Sequence, residues 1–480
     1  MRKKKELKGV SFWKKNILSL VCLILTAWFI VSLMAVNILP FRYILIISFL
    51  LLFLDIIGIV LINISKKKVL KVIGIMVVLF SIVGNLVALY YLSSTQKFVS
   101  KSFMVSSKKI YQKNTYYILA LASKNRKKAD ISSEISTYTE TVYLDKAMKK
   151  LKEKYEVSEK RYEDIDSMFD NLNNEIDEFL LIEKSAYEII LSISEKVNKN
   201  NYDIIYKFDV ITERENASSN DTEKFNIYVG GTDFAGLMDF NMIATVNTAT
   251  HKVLLTSVPR DYYIEVANKG GRRDKLSFMK TYGEDVNRNS LANFFNTNID
   301  YSVIVNTDSL VEVVDYVGGI DFCSNYTFTT THALVKDTYI DTGKKLTIHK
   351  GCQHLNGIEA LTVARERIAF PGSDVARQEN CQKILLDILK KLISADTLLH
   401  YNRTLNTLSS LYNTNIPKEI VTNITKDLLD NRNVWQIETQ AVYGEDTKDK
   451  VYLSNLIDWV MYPDMDSVEK AKLKIGETLK

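Results

Sequence analysis

The sequence predicts a membrane-anchored α/β protein: three transmembrane helices, a small α/β accessory domain, then a mixed-sheet α/β/α domain. Three observations predict it. Apolar runs crowd residues 1–96, strand-like and helical periods alternate through 97–222, and from 223 onward apolar strands end in charged residues with helical segments between them. These boundaries divide the 480-residue chain into an anchor, an accessory domain with an acid-rich linker, and a third domain over 223–480.

The apolar runs are Ile17–Val36, Tyr43–Ile64 and Val69–Leu92. Each reaches the roughly 20 residues that cross a bilayer core. A signal peptide has one shorter apolar core and a small-residue cleavage site, which this N-terminus lacks. The leader "MRKKKELKGVSFWKK" and the second connection "SKKKVLK" are basic, whereas the first connection "NILPFR" carries Arg42 alone. Lys and Arg stay inside, so the N-terminus is expected to be cytoplasmic and residues 97–480 extracytoplasmic. Asp55 and Asn85 fall inside spans, and helix–helix contact is the favoured reading over a functional pair.

Charge follows the same division. The net +5 combines +10 in residues 1–96 with −5 in the remainder. The globular part therefore has no bulk signature of nucleic-acid binding. Of four cysteines, Cys22 lies in the first span, and Cys323, Cys352 and Cys381 fall on the expected oxidising side. Cys323 and Cys352 sit at element edges and are candidates for a disulfide, although spacing does not fix pairing. No CxxC or His/Cys cluster points to zinc.

In the accessory region "TYYILALA" (115–122), "FLLIE" (179–183) and "IIYKFDV" (204–210) read as strands. Leu144, Ala147, Met148, Leu151 and Tyr155 recur at helical spacing, as do Ile165, Met168, Phe169, Leu172, Ile176 and Phe179. "ITERENASSNDTEK" (211–224) reads as linker. Beyond it come a strand at "FNIYVGG", two strands in 240–258 and a helix–strand–helix–strand run in 287–322. Helices at 356–364 and 375–393, more helix to about Asp430, and a late strand at 434–442 complete the pattern.

Four stretches put charge into apolar surroundings. Asp233 and Asp239 flank the end of one strand and the start of the next; they suit a hard cation such as Mg²⁺, or simply cap their loop. Arg260 and Asp261 follow a strand and Pro259, as an anion clamp or a surface turn. Lys275 ends "RRDK" before an apolar run, and alone reads as part of a solvated loop. "VARERIAFPGSDVARQENCQK" groups Arg365, Arg367 and Arg377. Arg365 and Arg367 share a side where the backbone is extended. Ser373 or Asp374 can cap a helix whose first turn carries Arg377 and Gln378, with Gln382 one turn on. Arginine forks suit phosphate oxygens. Metal-binding acids plus guanidinium groups are what phosphoryl transfer requires, and no P-loop is present to compete.

In this order, "YVGGTD", "SVPRDYYIEV", "DKLSF", "HLNGIEALTVARER" and "DVARQENCQK" resemble the LytR–CpsA–Psr family of cell-envelope proteins, over about 223–480. Three spans and an extra domain look like its capsule-associated branch. The resemblance implies a polyprenyl-phosphate phosphotransferase that moves a glycopolymer, of capsule or teichoic-acid type, from undecaprenyl pyrophosphate onto peptidoglycan in a bacterial membrane. It implies Mg²⁺ or Mn²⁺ held by Asp233 and Asp239, and pyrophosphate gripped by Arg260, Lys275, Arg365, Arg367 and Arg377, with Gln378 and Gln382 nearby. Asp239, Arg260, Arg365 and Arg367 are its implied catalytic residues, and the lipid tail is expected in an apolar tunnel. Leu237, Glu379 and Cys381 depart from the family pattern. Those departures favour a second reading, a non-catalytic, membrane-anchored protein that binds polyprenyl phosphate or assembles the envelope.

Overall fold

The computed structural model describes residues 2–102, 110–214, 221–233, 236–283, 285–331, 345–369, 373–392, 412–431 and 434–480. The chain forms two compact units. Helices α1 (Arg2–Val36), α2 (Phe41–Asn63) and α3 (Lys68–Ser102) make the first, joined by α11 (Lys418–Asp430) from late in the chain. The first three are each long and apolar enough to cross a membrane. Asp55 is fully buried. It accepts from Cys22 Sγ (3.1 Å) and Thr26 Oγ1 (2.7 Å) on α1 and from Ser81 Oγ (2.5 Å) on α3. Asn85 donates to Thr26 Oγ1 at 2.9 Å. These polar side chains therefore join all three helices, as expected where no water competes for their hydrogen bonds. At Gly74 an added Cβ would lie 2.9 Å from the Gly58 carbonyl, so the bare glycines let α2 and α3 approach backbone to backbone.

The second unit contains two sheets. The accessory sheet runs β3 (Ser158–Tyr162), β2 (Glu134–Tyr138), β4 (Phe179–Glu183), β1 (Ile110–Leu121), β5 (Tyr202–Arg214). Its strands β2, β3 and β4 are parallel; β1 runs antiparallel to both β4 and β5. The buried stripe of α4 (Leu144–Lys152) packs with Ile118, Ala120 and Leu181. α5 (Ile165–Asn173) and α6 (Lys184–Ile193) bury Met168, Phe169, Ile189 and Ile190 with Tyr117 and Leu119. One segment differs from its sequence reading. Residues 211–214, read as linker, continue β5, because Ile211–Arg214 find a full ladder against Ile110–Lys113. Backbone pairing outweighs their polar composition.

The larger sheet has order β16 (Tyr412–Thr414), β11 (Tyr301–Asn306), β6 (Lys224–Thr232), β7 (Met238–Asn247), β8 (Lys252–Val258), β17 (Gln436–Ala441). It is mixed: β6–β11 and β8–β17 are parallel, and the other pairs antiparallel. One face buries Tyr228, Ile243 and Leu254 with Leu291 and Phe295 of α7 (Val286–Phe295) and Val468 and Ile475 of α12 (Met465–Thr478). The other packs Met242, Ala244 and Leu255 against Leu385 and Leu386 of α10 (Ser373–Leu392). α8 (Thr307–Tyr316) and α9 (Gly357–Arg365) lie beside α10 on that second face, where an apolar cavity opens. The sequence expectation of helix between 393 and 411 lies outside the described residues.

Strand β12 (Ile320–Ser324) is followed by the short antiparallel pair β13 (Phe328–Thr329) and β14 (Thr347–Ile348) and then by β15 (Gly351–Leu355); Cys323 on β12 and Cys352 on β15 are directly opposed across an antiparallel pair and bonded. The bond closes a loop with a sequence separation of 29. Converting both to Ser is expected to lower stability by about 3–4 kcal/mol through the freed unfolded chain, read as a drop in the denaturation midpoint. An unchanged midpoint would show that the bridge contributes nothing.

Candidate functional site

The site forms where β6 and β8 end, β7 begins, α9 ends and α10 begins. Asp233 directly follows β6. Its amide donates to the Leu237 carbonyl (2.9 Å), and its carboxylate accepts from the Leu237 amide (2.8 Å). Gly236, at φ +93°, lets the chain turn back into β7. Leu237 is buried and closes this turn, so its side chain packs in the core. Asp239 on β7 pairs with the Arg260 guanidinium, whose residue follows β8 and Pro259.

Asp261, 6 % exposed, is the hub. It is approached by Arg260 (3.4 Å), Lys275 (3.2 Å) and Arg367 (3.1 Å). Burial pushes its carboxyl up, but the charges of Arg260, Lys275 and Arg367 outweigh burial and hold it well below the usual range. Lys275 closes the short strand β10 (Arg273–Lys275), antiparallel to β9 (Tyr263–Glu265). Its ammonium also reaches Asp458 at 2.9 Å on β19 (Ile457–Pro463), which forms a hairpin with β18 (Gly444–Lys450). Neighbouring Asp274 is fully buried and accepts from Tyr282 Oη (2.6 Å) and the amides of Lys275 (2.7 Å) and Leu453 (3.0 Å). Burial pushes the Asp274 carboxyl up to about 6 against those donors.

The arginine-rich stretch is shaped by its acid. Arg365 ends α9, and Glu366 turns extended behind it. Buried Glu366 accepts from the amides of Thr331 (2.5 Å), Arg367 (3.0 Å), Ile368 (2.9 Å) and Ala369 (3.0 Å). Burial pushes Glu366 up, but these backbone donors outweigh it and leave its carboxyl lowered. With Glu366 pinned inward, Arg367 reaches Asp261 while Arg365 lines the cavity.

The cavity, about 140 Å³, lies between the sheet and α8–α10. Val229, Phe240, Val305, Leu361 and Ile384 are among its apolar lining, and Asp239, Arg365 and Arg377 are its charged residues. Arg377, in the second turn of α10, is 2 % exposed. Cys381 also faces the cavity and donates to the Ala364 carbonyl at 3.4 Å.

Asp233, Asp239, Arg260, Lys275, Arg365, Arg367 and Arg377 are thus brought to one place. Gln382 is not: it is buried and donates to Ser257 Oγ at 2.6 Å, tying α10 to β8. The side chains of Gln378, Ser373 and Asp374 lie outside the described residues. Glu379 is exposed on α10. Sequence reasoning missed Asp261 as a hub, Glu366 as an organiser and Asp458 as the partner of Lys275. The signal for Asp458 was an acid inside the apolar run "LIDWVMY".

Among the described residues no cluster of three or more His, Cys, Asp and Glu suits a metal. The Asp233 and Asp239 carboxylates are near enough for their charges to interact. Burial, then the Asp239 charge, pushes the Asp233 carboxyl up. Mg²⁺ commonly takes one or two carboxylates and completes its shell with phosphate oxygens, so this pair fits a cation held jointly with a bound phosphate. Chemically the arrangement suits an anion on a hydrocarbon tail: guanidinium donors and an ammonium near a largely apolar cavity.

Comparison with known proteins finds relatives of this chain. The chain is similar to the polyisoprenyl-teichoic acid–peptidoglycan teichoic acid transferase TagU of Enterococcus faecalis, 24 % identical over 306 residues, which is 62 % of this chain and 91 % of that protein. It is 30 % identical over 194 residues to TagU of Bacillus anthracis, spanning 40 % of this chain and about half of that one, 56 %. The crystal structure of B. subtilis TagV overlaps 54 % of this chain and 98 % of its own, at 24 % identity and a TM-score of 0.44. The LytR_cpsA_psr family model matches residues 187–472, well over half of the sequence, and the chain belongs to that family.

Proposed function

We propose that this chain is a membrane-anchored transferase that moves a glycopolymer from a polyprenyl-pyrophosphate carrier onto peptidoglycan. The observation that carries this reading is the cationic cluster of Arg260, Lys275, Arg365, Arg367 and Arg377 beside the apolar cavity. A headgroup of linked phosphates matches the cluster, and the apolar cavity suits the head end of a polyprenyl tail. The teichoic acid transferase names of its relatives support the same class of reaction. The glycopolymer is of teichoic-acid or capsule type.

In this reading the pyrophosphate competes with Asp239 for Arg260 and engages Arg365 and Arg377 from the cavity side. An acceptor hydroxyl forms a bond to the glycan-linked phosphorus while the bond to the lipid-side bridging oxygen breaks. Polyprenyl phosphate leaves, and the hydroxyl proton passes to a carboxylate of the aspartate pair. Arg260 and Arg367, steadied by Asp261, spread the charge that builds on the oxygens. Asp233 and Asp239 would hold Mg²⁺, which when bound neutralises phosphate charge. The basic leader and second connection support an N-terminus in the cytoplasm and residues 97–480 outside.

The reading is tested by binding. Arg365→Ala and Arg377→Ala each remove a charged donor, worth about 1.5–3 kcal/mol. Each is expected to weaken polyprenyl pyrophosphate binding to the full chain in detergent by roughly tenfold to hundredfold. Unchanged affinity in both would sink it. A second reading, lipid binding without transfer, is favoured by Cys381, which gives the cavity a thiol, and by the core placement of Leu237. It predicts bound lipid with no turnover.

A further inference from the structure

We infer that α11 is an interfacial helix that rests on the bilayer surface and holds the chain to the membrane at a second point. The inference stands on the spanning reading of α1–α3 and is independent of the transfer reaction.

The connection between α1 and α2 is short, Asn37–Pro40, so it marks the level at which the chain leaves and re-enters the apolar layer. The end of α11 is fastened at this level. Arg42 pairs with the Asp430 carboxylate at 2.5 Å and donates to the Asp430 carbonyl at 3.3 Å. Tyr43 Oη donates to the Leu429 carbonyl at 3.1 Å, and Lys426 reaches Asn37 Oδ1 at 2.7 Å. The last carbonyls of a helix have no partner within it. Here a cation and a phenol from the membrane hairpin satisfy two of them, and Arg42 also suits the negative end of the helix dipole.

The last turn of α11 leaves an apolar pair open. Leu428 and Leu429 are each 42 % exposed, in the same turn that Arg42 and Tyr43 hold, and Val434 just beyond is exposed too. Phe41 is exposed at the start of α2, so this patch continues the lipid-facing surface of the spans. Trp435 donates to Asp427 Oδ2 at 2.6 Å. With Tyr43 it supplies the two residue types that gather at membrane–water boundaries, each with an apolar body and a polar tip. Ile420 and Thr422, at the other end of α11, are buried. The occupant that fits the open turn is the headgroup–acyl boundary of a phospholipid bilayer.

The test places the photoreactive residue p-benzoylphenylalanine at position 428 or 429 of the full chain in phospholipid vesicles. Position 49, on the exposed face of α2, is the positive control, and position 419, exposed in the first turn of α11, the negative one. Lipid adducts are expected at 49, 428 and 429 and not at 419. Arg42→Ala is expected to lower the adduct at 429 by about threefold to tenfold. Adducts at 49 with none at 428 or 429 would overturn the inference, and so would an adduct at 429 that ignores Arg42→Ala. No adduct at 49 would remove the spanning reading itself. A probe without added bulk is Trp435: brominated lipid should quench the wild-type chain more than Trp435→Phe, and equal quenching would count against an interfacial α11.

Discussion

Asp261→Ala is expected to be the most damaging single substitution in the site, costing about 3–5 kcal/mol of stability and nearly all transfer. The magnitude is that of removing one side of a buried ion pair, which leaves the remaining cations short of countercharge in low dielectric. Lys275 keeps Asp458 and Arg260 keeps Asp239, but each loses one of its two carboxylates, and Arg367 loses the one that aims it. Arg367 is 40 % exposed, so water screens its share, and Arg367→Ala should cost well under 1 kcal/mol of stability while still reducing transfer. The pH dependence has a definite sign. Asp261 is depressed in the folded chain relative to about 3.9 in an unfolded one. Its contribution is complete above that value and is lost as pH falls through the lower folded value, so it survives at neutral pH and disappears only in strong acid. Midpoints of Asp261→Ala and wild type measured from pH 7 downward should converge in acid. A variant as stable and active as wild type at pH 7 would refute the hub.

Ala364→Phe is expected to abolish lipid binding while the protein stays folded. Ala364 lines the cavity with Cys381 and Arg365, and its carbonyl accepts from Cys381. A phenyl ring there occupies the space proposed for the hydrocarbon tail. Overpacking typically costs 1–3 kcal/mol, less than a whole domain's stability. Affinity for polyprenyl pyrophosphate should fall by more than about a hundredfold, while inorganic pyrophosphate, which has no tail, should bind within about threefold of wild type. Equal losses for both would locate the effect in the anion site instead, and no loss for either would place the tail elsewhere.

These two positions show how far the sequence could be read. Arg365, Arg367 and Arg377 were visible because three guanidinium groups in thirteen positions are unusual without an anion, and Asp233 and Asp239 because acids flanked strand ends. Layered α/β architecture followed from strand and helix periods. Asp261 was visible as a residue but not as a hub: its partners come from β10 and from beyond α9, and only the packed fold joins them. Asp458 is 183 residues from Lys275, a distance over which local pattern carries no pairing information. Gln382 sits at the right helical spacing for the site, yet Ser257 on β8 takes its amide, because a buried amide must find a partner. The cavity had no sequence signature, since Val229, Phe240 and Ile384 look like any core residues until the helices leave a gap over them. Residues 211–214 were misread for the same reason: their partner strand begins a hundred residues earlier.

Transfer itself is the most direct measurement. The purified full chain, mixed with a polyprenyl-pyrophosphate oligosaccharide, Mg²⁺ and peptidoglycan, should release polyprenyl phosphate and leave phosphate-linked oligosaccharide on the acceptor. Asp239→Asn and Arg260→Ala should each slow this by about a hundredfold or more, the scale of losing one preorganised charge contact at a reacting phosphate. Lipid that binds tightly but yields no linked acceptor, with or without Mg²⁺, would contradict a transferase and leave a lipid-binding protein in its place.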